Sequence, residues 1–509
     1  MAIYTHYTTT LPNYNQFNNT LQSIIISKNK TKMDSRNGDN FIVSVTNEEV
    51  VAAVLPIQEH WLPLSNLDLL LPKVDVGVFF CYKNPMLLST STTYLTFESM
   101  VVSLKKALAK VLVSYYAFAG EVVSNSVGEP ELLCNNRGVD FVEAVADVEL
   151  QCINFYNPDE FVEGKFVPKK KHGVLAIQVT SLKCGGIVVA CTFDHRIADA
   201  YSTNMFLVSW AEMAHSIKPT KPKTITTTNK PCFRRSLLSP RHPGSIHPSL
   251  DDMYIPISKL PPPSATATKP LLSRIYHITA EELQCLQSLA AGTNDGNTKP
   301  TKLESFSAYL WKLIAHAAKR DRSKMVIAKM GIVVDGRKRL GNDSSDEKGK
   351  EAMMERYFGN VLSIPFGGKP VEELVDKPLG WVVDEVREFV SVATTEEHFL
   401  GLIDWVEENR PVPGLAKIYC GSSSEGPTFV VSSGQRFPED KVNFGWGKVV
   451  FASYHFPWGG EAGYVMPMPS PLRNGDWIVY MHLLKEQLEI IESEADHVFR
   501  PITWDYLNQ

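Results

Sequence analysis

No apolar run in this 509-residue chain approaches the ~18 residues that a membrane-spanning helix requires. Positive charge is not in surplus either. Lys and Arg number 51 against 56 Asp and Glu, leaving a formal charge of -5, so nucleic acid is not an expected partner. A small anionic ligand stays compatible, because one basic pocket does not move the total. The eight cysteines are scattered, and no two stand at CxxC spacing. That spacing excludes the common zinc and redox motifs and fits a reducing compartment. Cys184 and Cys191 flank an apolar run and read as buried thiols. No internal repeat is visible. The first 32 residues contain no Asp, Glu or Arg and are rich in Asn, Thr and Tyr. Acid-poor composition is a feature of plastid-type transit peptides, but the missing arginines argue against one. A disordered extension over residues 1–40 is the expectation, and Met33 opens more ordinary sequence.

What is present is a mixture of strand and helix patterns. Phe41 to Val45 and Glu49 to Val54 read as two strands, and Asp75 to Tyr82 as another. Thr96 to Leu112 carries Leu104, Leu108 and Leu112 at spacing four, which predicts an amphipathic helix. Gly185 to Thr192 reads as a strand buried on both faces, and Ala198 to Ala214 as a helix. Residues 216–272 hold 11 of the 32 prolines and little apolar periodicity, so a crossover linker is expected there. Beyond it, Thr279 and Thr301 each precede a glutamate by three residues and predict capping boxes. Helices are expected to about Ala291 and over Ser305 to His316, with a strand at Met325 to Val334. Mixed elements on both sides of the linker predict two α/β domains, 41–215 and 273–509.

The sharpest local feature is Phe193-Asp194-His195-Arg196-Ile197-Ala198-Asp199. A buried strand delivers a histidine, and an aspartate follows at the start of a helix. An imidazole near its ordinary pKa of ~6.5 can take a proton from a hydroxyl at neutral pH. The same residues also fit a core histidine with a helix-capping aspartate. Cys191 lies on the same strand face as His195, yet burial raises a thiol, which argues against a Cys/His nucleophile.

Further landmarks surround this segment: Leu67-Asp68-Leu69-Leu70-Leu71-Pro72, Tyr115-Tyr116-Ala117-Phe118-Ala119-Gly120, Val334-Asp335-Gly336-Arg337-Lys338-Arg339-Leu340, Tyr357-Phe358-Gly359-Asn360 and Asn443-Phe444-Gly445-Trp446-Gly447. Together with HxxxD, in this order, they resemble the plant BAHD acyltransferases over residues 41–509. Gln58 to Ser65 and Ser453 to Gly460 further resemble the coniferyl alcohol acyltransferase branch. The resemblance implies an α/β fold: two chloramphenicol-acetyltransferase-like domains with mixed β-sheets and flanking helices, joined by a long crossover loop. It implies a channel between the domains, with acyl-CoA, expected to be acetyl-CoA, entering from one side and an alcohol from the other. His195 would be the general base. Asp199 would be structural and paired with an arginine, Arg337 first and Arg339 second. No metal and no bound cofactor are implied, and a cytoplasmic monomer with no membrane partner is expected.

Two departures from the family pattern stand out. Asn443 replaces the aspartate that normally opens its motif, which should remove an ion pair and leave the chemistry intact. Ser432-Ser433-Gly434 stands where some relatives carry Thr-Ser-Trp, with Thr and Trp near the developing oxyanion. Ser432 keeps a hydroxyl donor, while Gly434 lacks the ring, so either another donor substitutes or the pocket is wider for an aryl acceptor. Thr301 and Lys302 open a helix where free N–H groups favour phosphate, and relatives contact CoA about there; a plain cap with a solvated lysine fits equally. His455 and Trp458 line the acceptor side or pack in the core. Trp446 reads as a packing residue. The expected reaction is O-acylation of a phenylpropanoid alcohol such as coniferyl alcohol. Hydroxycinnamoyl transfer to shikimate or quinate, and a non-catalytic accessory role, are the alternatives.

Overall fold

The structure is a computed structural model. It describes residues 41–84, 96–162, 164–216, 230–260, 269–292, 299–319, 326–341, 348–421 and 425–509. The extension expected over 1–40 and part of the crossover lie outside these residues.

In chain order, the elements that position the site are β1 (Val43–Val51), β2 (Asp75–Tyr82), α1 (Phe97–Val111), β3 (Val139–Ala146), β4 (Leu175–Leu182), β5 (Ile187–Asp194) and α2 (Ala200–Ser216). After the crossover come β6 (Leu271–Ile278), α3 (Ala280–Ala291), α4 (Lys302–Lys319), β7 (Ile327–Asp335), β8 (Leu362–Ser363), β9 (Phe366–Pro370), α5 (Leu379–Ser391) and α6 (Glu396–Asn409). The chain closes with β10 (Thr428–Ser432), β11 (Val449–His455), β12 (Gly463–Pro469), β13 (Trp477–Leu484) and β14 (Arg500–Pro501).

Two mixed sheets result. The first has the order β1-β3-β4-β5-β2-β11, with β3 and β4 parallel and the other pairs antiparallel. The second runs β8-β7-β10-β12-β13-β6-β14, with β9 beside β7. In it β7, β10 and β12 are mutually parallel. Every residue of β5 is buried, as expected for an interior strand covered on both faces. The helix read from the leucine spacing is present as α1. Thr96 caps it by accepting from the Ser99 N–H at 3.2 Å, and Leu104 and Leu108 face the core. Trp210 of α2 donates to the Leu104 carbonyl at 3.0 Å, which locks α1 against α2. On the other sheet α4 packs between α3 and α5 over an apolar core that includes Phe306, Leu310 and Trp311.

Three expectations change. The two strands read at 41–45 and 49–54 are one edge strand, β1, whose register shifts between Val45 and Asn47. The crossover is not structureless. It contains a turn of helix at Ser249–Met253 and a strand, Tyr254–Pro256, that pairs with Gly414–Ala416. Finally, 273–509 is not a separate sheet unit. β11 leaves it and pairs with β2 of the first sheet, His455 opposite Gly77.

Candidate active site

β5 runs out at Asp194, and the next residue is held as the strand ends. The His195 N–H donates to Val74 O at 3.0 Å. Asp194 and Arg196, both buried, close the turn with a bidentate pair at 3.0 and 2.6 Å. Burial alone would raise the Asp194 carboxyl, but the Arg196 guanidinium outweighs it and holds it at about 2. The turn therefore stays braced at any ordinary pH, and the His195 side chain faces a cavity of about 340 Å³.

The cavity lies in the seam between the sheets. Val76 and Phe193 come from the first, and Val333, Ser432, Tyr464 and Met466 from the second. Phe456 stands edge-on to the His195 ring at 6.0 Å between centroids, and Tyr464 edge-on to Phe456 at 5.0 Å. Burial is the largest influence on His195 and lowers its pKa below the ordinary value, despite Asp199, Asp194 and Asn360 favouring the cation. The ring is therefore neutral at neutral pH and can accept a proton.

Asn360 braces the segment that carries this ring. Its Nδ2 donates to Asp68 Oδ1 at 2.9 Å and to the His195 carbonyl at 2.9 Å. Its own N–H donates to the same Asp68 oxygen at 2.7 Å. The flipped amide would set oxygen against oxygen at both contacts, so the orientation is fixed by its partners. That leaves Asn360 Oδ1 and His195 Nδ1 as buried atoms without a close partner, and the Asn360 side chain favours the charged ring.

Asp199 serves a different purpose. Arg337 donates to its two oxygens at 2.8 and 3.1 Å, both side chains being 2% exposed. Asp199 also accepts from Ser202 N at 2.9 Å and caps α2. Arg337 further donates to Tyr357 O and Gly359 O, at 3.2 and 2.8 Å. Gly359 sits at φ +145°, where a side chain is strained, and a Cβ would lie 2.9 Å from Arg235. Only glycine lets that carbonyl turn toward Arg337. Arg339, the second candidate partner, is exposed.

Residues 41–498 match the Transferase family. The chain belongs to that family. Its relatives include the shikimate O-hydroxycinnamoyltransferase of Nicotiana tabacum, 26% identical over 87% of this chain and 96% of that one. The (Z)-3-hexen-1-ol acetyltransferase of Arabidopsis thaliana is 27% identical over 86% and 93%. Vinorine synthase shares the fold with a TM-score of 0.65, 20% identity and coverage of 90% and 98%. F. graminearum TRI101 in complex with coenzyme A and deoxynivalenol does so at 0.67, 14%, 86% and 98%. The BAHD resemblance and the two-part α/β fold are thus borne out, and the protein is an acyl-CoA-dependent acyltransferase.

The remaining residues singled out in this acyltransferase divide. Ser432 and Trp458 line the cavity, the latter edge-on to Tyr419 at 4.9 Å. Gly434 lines it too, but not by leaving room for a ring. A Cβ there would meet Pro467 O at 2.8 Å and Met468 Cγ at 2.6 Å, so the position is small because β12 passes against it. His455 does not line the cavity. It is 3% exposed, edge-on to Tyr480, and both ring nitrogens lack a partner. Burial, aided by His482, pushes it down to about 3, so it is a neutral core residue.

Thr301 and Lys302 stand away from the cavity lining. Thr301 forms a complete capping box on α4, accepting from Glu304 N at 3.2 Å and donating its N–H to Glu304 Oε2 at 2.8 Å. Asn443 Oδ1 accepts from Gly445 N at 2.8 Å and shapes the turn before Trp446. Phe444 and Trp446 pack on Tyr82, while Gly445 and Gly447 adopt φ +90° and +130°. Cys191 is buried with its thiol pushed up by that burial, whereas Cys184 is only half-buried. Among the described residues no helix is long and apolar enough to cross a membrane.

The sequence reading assigned no role to Asp68 or Asn360, although both sit in motifs it quoted. The signal was a polar residue inside each apolar landmark. Tyr254, Tyr419 and Tyr464, which line the cavity, gave no comparable signal.

Proposed function

We propose that the protein transfers an acyl group, acetyl in the first instance, from CoA to the hydroxyl of a phenylpropanoid alcohol such as coniferyl alcohol. The observation that carries this reading is the composition of the cavity wall. Tyr254, Tyr419, Phe456, Trp458 and Tyr464 offer a largely aromatic surface. Of the two arginines in the lining, Arg337 is buried against Asp199, while Arg436 is half-exposed and meets Asp335 through one N–H at 3.3 Å. Among the described residues the wall offers no buried cation free for a carboxylate, and its aromatic surface favours a neutral aryl alcohol over shikimate or quinate, for which only the half-exposed Arg436 would be at hand.

The neutral His195 ring removes the acceptor proton while Asn360 holds the His195 carbonyl. The alcohol oxygen attacks the thioester carbonyl directly, the C–S bond breaks, and the departing thiolate takes the proton from His195. Asp199 takes no proton and fixes the segment through Arg337. A CoA-release assay over a matrix of acyl-CoA donors and alcohols tests the assignment. Turnover is expected with coniferyl alcohol, and His195→Ala should reduce kcat by ~100–10,000-fold. Preference for shikimate or quinate with a hydroxycinnamoyl donor would refute the acceptor. Absence of turnover across the matrix would point to an accessory role.

A further inference from the structure

Acyl transfer to an alcohol passes through a tetrahedral oxyanion. Ser432 presents a hydroxyl in the cavity wall, and one hydroxyl alone is a sparse oxyanion site. Two residues on, Gly434 offers no side-chain donor. The Gly434 Cβ direction faces β12, so no rearranged side chain at that position fills the gap.

Tyr464 occupies the neighbouring place. β10 and β12 are parallel, with Val430 opposite Tyr464, so the tyrosine stands one strand away from Ser432 on the cavity wall. The Ser432 hydroxyl is beside the Tyr464 phenol and favours its charged form, but burial dominates and pushes the phenol up to about 12. At neutral pH it keeps its proton. Tyr419 packs edge-on to Trp458 at 4.9 Å and, among the described residues, has no such neighbouring serine, and the three other cavity tyrosines are engaged elsewhere. Tyr454 donates to Asn204 at 2.8 Å, Tyr201 donates to the Glu355 carbonyl at 2.8 Å, and Tyr254 is engaged by Ser363 and the Ile364 N–H at 3.0 Å each. Among the described residues, neither Tyr464 nor Ser432 donates its hydroxyl proton to a carbonyl or a carboxylate. Two O–H groups therefore stand side by side, both protonated, in the cavity that His195 faces.

We propose that Tyr464 is a catalytic residue, acting with Ser432 as the donor pair for the thioester oxyanion. This rests on the acyl-transfer reading of the site. As His195 takes the acceptor proton, the alcohol oxygen bonds to the thioester carbon and the C=O electron pair moves onto oxygen. Tyr464 Oη–H and Ser432 Oγ–H donate to that oxygen. The C=O re-forms, the C–S bond breaks, and the CoA thiolate takes the proton held by His195. No oxidant, metal or acyl-enzyme enters the balance.

The test is steady-state kinetics of Tyr464→Phe and Ser432→Ala, with thermal unfolding and the affinity for S-ethyl coenzyme A measured alongside. S-ethyl coenzyme A has no carbonyl oxygen, so its binding reports the site without the oxyanion. Each variant should lose on the order of 100-fold in kcat, with KM and S-ethyl coenzyme A affinity within about twofold of the parent. The double variant should lose less than the product of the two, because the pair serves one oxygen. Tyr464→Phe retaining kcat within twofold, or raising only the alcohol KM, would overturn the proposal while leaving acyl transfer intact. Equal loss of S-ethyl coenzyme A affinity or of melting temperature would mark a structural role and overturn it as well. A parent chain that releases no CoA with any donor would overturn the acyl-transfer reading and this proposal with it.

Discussion

Replacing Asp199 by alanine should cost the protein stability as well as activity, because a buried cation loses its bidentate carboxylate. Arg337 is 2% exposed, and Asp199 supplies both oxygens of its bidentate pair. What remains to it is Asp335 at 3.2 Å, the Ser202 hydroxyl and two backbone carbonyls. The Ser202 and Val361 N–H groups lose their acceptor at the same time. Removing one member of such a pair costs about 3–5 kcal/mol. At ~2–4 °C per kcal/mol for a cooperative unit of 150–250 residues, the melting temperature should fall by roughly 6–20 °C. Far-UV circular dichroism at a fixed scan rate measures this. The double variant Asp199→Ala with Arg337→Met removes that cation and should recover at least half of the loss. An unchanged melting temperature in the single variant, or a double variant less stable than the single, would refute the reasoning.

Other outcomes follow from the same geometry. Asn360→Ala should free the His195 carbonyl, let the residue shift and lower kcat by on the order of 100-fold, the cost of about 1 Å of misplacement. Its kcat/KM acid limb should also move to lower pH, since Asn360 favours the imidazolium; an unmoved limb would show that Asn360 does not touch the ring. In the parent that limb should lie below pH ~6.5, because burial depresses His195. Stability should decline as pH falls from ~6.5. His398, lowered to about 4 chiefly by burial, and His455, at about 3, stay neutral in the fold while the unfolded chain takes up their protons. Each contributes a slope of up to ~1.4 kcal/mol per pH unit, and His398→Gln should flatten the denaturation profile between pH ~6.5 and 4. Gly434→Ala should force β12 outward, destabilise by ~1–3 kcal/mol and slow aryl and aliphatic acceptors alike; a selective loss of one alcohol would contradict the contact with Pro467.

Much of this architecture was readable where the information is local. The period of Leu104, Leu108 and Leu112, the cap at Thr96 and the all-apolar run of β5 each follow from neighbours in sequence. β1 misled because Thr46-Asn47-Glu48 has turn-like polarity, yet an edge strand tolerates polar residues facing solvent, and Thr46 and Asn47 bond to Glu143. The pairing of Asp199 with Arg337, 138 residues apart, was legible only through resemblance to a family. His455 stays open in the sequence because an aromatic beside a glycine-rich turn fits a pocket wall or a core, and its buried place edge-on to Tyr480 decides for the core. Gly434 was misread because a missing side chain can mean room or crowding, and only the position of β12 distinguishes them. The role of Asn360 depends on two fixed hydrogen-bond partners from distant segments, which composition and periodicity do not encode.

The route of β11 has a consequence for how the chain is made. β2 is buried from Val76 to Tyr82, and its outer neighbour is Val449–His455. That neighbour is synthesised roughly 250 residues after β5. At ~5–20 residues per second, a nascent chain carries an unpaired, apolar strand edge for on the order of ten seconds to a minute before its partner emerges. A polypeptide stopped after α2 would never acquire that partner. Truncations near the crossover should therefore accumulate in the insoluble fraction, and holding factors that mask strand edges should matter most during translation of the second half.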